Sequence, residues 1–64
     1  MSSIKFYELN RTNELTQVLE RHFPEQTKEE LIYKARSVMH NLQGYKISVL
    51  KITINQRESW IYLD

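Results

Sequence analysis

The sequence predicts a small α+β domain of order β-α-α-β-β, in which a three-stranded, largely antiparallel sheet carries both helices on one face. Three observations point there. Residues 3–9 and 45–63 are rich in β-branched and aromatic side chains at strand spacing. Residues 15–23 place apolar groups at helical spacing, and residues 27–30 have the form of a helix-opening capping box.

The first element, residues 3–9, puts Ile4 and Phe6 on one face of a strand and Tyr7 and Leu9 on the other. In the next segment Leu15, Val18, Leu19, His22 and Phe23 fall at i, i+3, i+4, i+7 and i+8. That stripe predicts a helix of about three turns, capped by Asn10 or Thr12. Pro24 cannot extend it and turns Phe23 away from helical geometry, so the helix should end near His22.

Thr27 followed by Glu30 predicts a second helix, with Leu31, Ile32, Ala35, Val38, Met39 and Leu42 as its apolar stripe. The single glycine, Gly44, stands where a left-handed residue would close it. A Glu30–Lys34 pair at i, i+4 suits its exposed side. Residues 45–54 read as a strand whose alternation changes phase, through a bulge near Val49 and Leu50 or through burial of both faces. Residues 55–58 form a polar connection of about four residues to a last strand over residues 59–63.

Sixty-four residues fit one domain, 1–64, with a small core. There is no cysteine, so disulfides and thiolate metal sites are excluded, and a reducing, cytoplasmic location fits. Residues 1–10 lack the apolar run of a signal peptide, and no stretch is long and apolar enough for a membrane span. The net charge of +1 advertises no polyanionic partner. Acids outnumber bases over residues 14–30, whereas residues 31–57 carry Lys34, Arg36, Lys46, Lys51 and Arg57 and no acid. Helix-dipole complementarity is one explanation of this asymmetry, and an acidic ligand is the competing one.

Catalysis finds little support. His22 and His40 fall on different elements, no paired-histidine motif is present, and one glycine cannot build a phosphate cradle. The expectation is therefore a non-enzymatic chain with no catalytic residue, no metal and no cofactor.

The informative feature is the sheet. Every strand is apolar on both parities, and two short helices can cover only one side. Burying a large apolar side chain contributes roughly 1.5–3 kcal/mol, so an uncovered apolar face represents stabilisation comparable with that of a whole small domain. The sequence thus points to a protein-interaction module, a regulator or inhibitor that binds another protein and self-associates as a homodimer through its sheet. Trp60, Tyr62 and Tyr45 would anchor the contact, and Lys51 and Arg57 would orient it. The alternative is a nucleic-acid-binding protein that stacks bases on the same aromatics.

Overall fold

A computed structural model describes residues 1–63. Its elements run β1 (Ser2–Leu9), β2 (Leu15–Phe23), α1 (Lys28–His40), β3 (Ile47–Ile54) and β4 (Arg57–Tyr62). All strand pairs are antiparallel, and the sheet order is β2-β1-β3-β4. The expected three-stranded sheet with two helices is therefore corrected to four strands and one helix, β-β-α-β-β.

The error lies in residues 15–23. Leu19 and Phe23 are four apart, a spacing that returns to the same face of a strand as well as of a helix. In the structure both pack against the core from β2. Val18, which completed the helical stripe, is the extra residue where the β1–β2 register shifts, since Phe6 faces Leu19 while Tyr7 faces Gln17. A bulge thus imitates the helical period. Asn10 does not cap a helix either. Its side-chain Oδ1 accepts from the backbone N–H groups of Thr12 and Glu14, both at 2.9 Å, and so shapes the β1–β2 hairpin loop. Asn13 sits there at φ 63°. Pro24 keeps its expected influence, but the extended Phe23 that it favours ends a strand.

The helix at 28–40 begins at Thr27, whose hydroxyl accepts from the Glu30 amide at 3.3 Å. The Glu30 carboxylate takes the Thr27 hydroxyl at 2.7 Å rather than the Thr27 amide of a standard capping box. Lys34 lies 3.9 Å from Glu25 rather than forming the expected pair with Glu30. The helix ends earlier than its glycine suggested. Asn41 is the C-cap, and Gly44 adopts φ 91° in the turn beyond.

The phase change in β3 is a bulge displaced slightly from its expected place. Tyr7 faces Val49 and Glu8 faces Ile47, so Ser48 is the extra residue. The last connection is also shorter than expected. Only Asn55 and Gln56 form the turn, at φ 50° and 69°, as a type I′ hairpin requires, and Arg57 and Glu58 join β4.

Core packing follows from this register. Ile4 and Phe6 of β1, Leu50 and Ile52 of β3, and Leu31 and Ala35 of α1 are fully buried together. A single helix is about 10 Å across and strands are about 4.8 Å apart, so α1 covers the two central strands and little more. Leu19, Phe23, Ile61 and Leu63, towards the sheet borders, are only partly buried against the core.

Candidate functional site

The face turned away from α1 is built from the opposite parities. Register places Glu20, Lys5, Lys51 and Trp60 in one row across the four strands, and Gln17, Tyr7, Val49 and Tyr62 in the next. His22, Ser3, Thr53 and Glu58 form a third row on the other side of the lysines. One end of this face is therefore aromatic and the other polar. Leu9 and Leu15, exposed and paired across the β1–β2 hairpin, extend the apolar end.

Val49 gives this face its character. It is only 4% exposed although no helix lies above it. Tyr7 and Trp60 come from strands on either side of β3, and their ring centroids are 5.5 Å apart with the planes inclined at 40°. The centroid distance is within the range of favourable aromatic pairs, and the contact bridges β3 between the Val49 and Lys51 rows. The uncovered sheet thus supplies part of its own roof. Trp60, 44% exposed, stays accessible, as does its neighbour on the same face, Tyr62, 72% exposed, whereas Tyr7 is partly buried.

Lys51 is held on the same face. Its Nζ is 2.9 Å from the Glu58 carboxylate and 5.4 Å from the centroid of the Trp60 ring. The hydrogen bond that the Lys51 ammonium donates to the Glu58 carboxylate raises the Lys51 pKa above its ordinary value of 10.5, against a smaller opposing effect of desolvation. The ammonium therefore remains charged through the neutral range and is spent locally, on a carboxylate and an indole. Lys5 stands between Glu20 and Lys51 in the ladder, and the Glu20 carboxylate lies 3.8 Å from the His22 imidazole.

Of the five residues singled out from the sequence, Trp60, Tyr62 and Lys51 share this face. Arg57 does not. It pairs with Ile54, on the parity that faces α1, and is exposed at the hairpin end beside Asn55 and Ser59. Tyr45 lies outside the strands, exposed in the segment before β3, where the neighbouring Lys46 amide donates to the Glu8 carboxylate at 3.1 Å. Sequence reasoning missed Tyr7, Val49 and Glu58 as members of the site. Tyr7 was legible, because it takes the parity opposite Ile4 and Phe6. The part played by Glu58 depended on placing it inside β4 rather than in the turn.

Among the described residues no group of histidine, cysteine, aspartate or glutamate is arranged to hold a metal ion. No helix of the structure is long and apolar enough to cross a membrane. No family model matches the chain, and no curated protein or solved structure matches it either.

Proposed function

We propose that the chain is a non-enzymatic protein-interaction module, a regulator or inhibitor that acts by docking the aromatic end of its outer sheet face against another protein and that also self-associates. One observation carries this reading: Trp60 and Tyr62 lie exposed on the same face as Tyr7 and Val49, where the neighbouring Lys51 is paired with Glu58. Such a patch supplies large, stiff contact area at low entropic cost. A polyanion is the poorer fit. Nucleic-acid surfaces need uncompensated cations along the aromatic platform, whereas Lys51 is engaged by Glu58 and Arg57 belongs to the opposite parity.

The test is a paired capture experiment with a nucleic-acid control. The immobilised chain is expected to retain a protein partner that a Trp60→Ala/Tyr62→Ala variant of unchanged circular dichroism releases. A single-stranded oligonucleotide should bind neither form measurably at about 0.15 M salt. Retention of the same protein by the double variant, or a tight oligonucleotide complex that weakens steeply with salt, sinks the reading.

A further inference from the structure

The sheet has two borders of unlike construction. At β2 the ladder with β1 is interrupted by the Val18 bulge, Glu20, Arg21 and His22 follow in succession, and Pro24 stands immediately after the strand. Bulges, clustered charges and proline are the devices that keep a free strand from recruiting another. At β4 the register with β3 runs from Arg57 to Tyr62 without a shift, with no proline and no lysine.

The chemistry of the β4 border follows from the hairpin phase. A two-residue turn is closed by a hydrogen-bonded pair, here Ile54 and Arg57, and such pairs alternate along an antiparallel ladder. The Leu63 amide donates to the Ser48 carbonyl at 2.9 Å, in phase with that alternation. Arg57, Ser59, Ile61 and Leu63 therefore turn their backbone groups towards β3. Glu58, Trp60 and Tyr62 turn theirs outward, away from the sheet.

We propose that this border is completed by β4 of a second copy, added antiparallel about a two-fold axis at Trp60 to give one continuous sheet. This rests on the reading of the chain as a self-associating interaction module and names the element that performs it. Partners in an antiparallel pair share a face, so only registers that keep parity are allowed. Centring on Trp60 gives the longest such overlap, from Arg57 to Leu63, and every outward amide and carbonyl of Glu58, Trp60 and Tyr62 meets its counterpart. On the outer face Trp60 meets the partner's Trp60, and Glu58 meets the partner's Tyr62. On the other face Ser59 meets the partner's Ile61. No like charges oppose one another, whereas a register centred on Glu58 would set two carboxylates face to face.

The seam is about 20 Å long. A single strand-to-strand seam is smaller than the standard interface of about 800 Å² per partner, which puts the association among the weak, reversible ones.

Sedimentation of the wild-type chain from low micromolar to millimolar concentration should show reversible doubling of mass. Glu58→Pro removes an outward amide and leaves the β3 ladder intact, because proline is tolerated where the strand N–H faces solvent. It should keep the circular dichroism spectrum and weaken dimerisation at least about tenfold. Since the chain contains no cysteine, a single Trp60→Cys substitution should give a covalent dimer on mild oxidation. Thr53→Cys, on the same face but one strand in from the border, should not. A wild-type chain that stays monomeric at millimolar concentration overturns the proposal, as does equal cross-linking at both positions. If the chain stays monomeric while Trp60→Ala/Tyr62→Ala still releases a protein partner, the seam is lost and the docking face survives. If neither effect appears, both fall.

Discussion

The two faces of the sheet bury apolar groups by different means. Under α1, Ile4, Phe6, Leu50 and Ile52 are sealed by a separate element of structure, with Leu31 and Ala35 closing the top. On the other side Val49 is almost as deeply buried, yet no helix lies there, and its cross-strand neighbours are Tyr7 and Tyr62, with the Tyr7 and Trp60 rings meeting across β3. Burial by a helix is cooperative with the whole fold. Burial by two rings is local, and it leaves the outer surfaces of those rings to solvent. One face therefore holds the domain together, while the other, polar or charged over most of its area, exposes aromatic groups at one end.

The largest expected break in this comparison is Phe6→Ala. Removing a fully buried aromatic costs about 3–5 kcal/mol, a large part of the stability of a domain this small, and urea titration should find the variant largely unfolded or close to it. Trp60→Ala, on the self-roofed side, should cost only about 1–2 kcal/mol because the indole is half solvated already. Its urea midpoint should fall between wild type and Phe6→Ala. Equal losses for the two variants would mean that the faces do not differ as described.

A smaller effect concerns the turn that sets the phase of β4. Asn55 and Gln56 both occupy positive φ, where glycine is favoured at the second position, so Gln56→Gly should stabilise by about 0.5–1 kcal/mol and raise the melting temperature. A lowered melting temperature would argue against the type I′ geometry.

The smallest effect is one of pH. Because Glu58 raises the Lys51 pKa in the folded state above its unfolded value of 10.5, the pair's contribution is fully present below that value. It is lost as pH rises through the folded-state pKa. Wild-type stability should therefore decline through the alkaline range more steeply than that of Lys51→Met, with no difference in slope near neutrality. Parallel alkaline slopes for the two proteins would mean that the pair does not form.

How much of this was legible beforehand depends on where two periods coincide. β1, α1 and β3 were readable because Ile4 and Phe6 alternate cleanly, Thr27 and Glu30 mark a helix start, and Ile52 and Ile54 continue one parity. Residues 15–23 were not. A bulged strand with apolar groups at 15, 18, 19 and 23 presents the same spacing as a helical stripe, and only pairing with β1 separates the two. The pairing partner is a tertiary fact. The site was legible in part for the same reason: parity alone sends Trp60 and Tyr62 to one face with Lys51, but the side taken by Arg57 depends on a turn of two residues rather than about four.

The irregular border at β2 has a consequence for growth. A sheet that recruits strands on both flanks can lengthen without limit, which is how soluble chains become fibrils. Here the bulge at Val18, the charges of Glu20 and Arg21, and Pro24 after the strand oppose the addition of another strand. Whatever joins on the opposite flank, accretion stops there, and the molecule carries its own terminator.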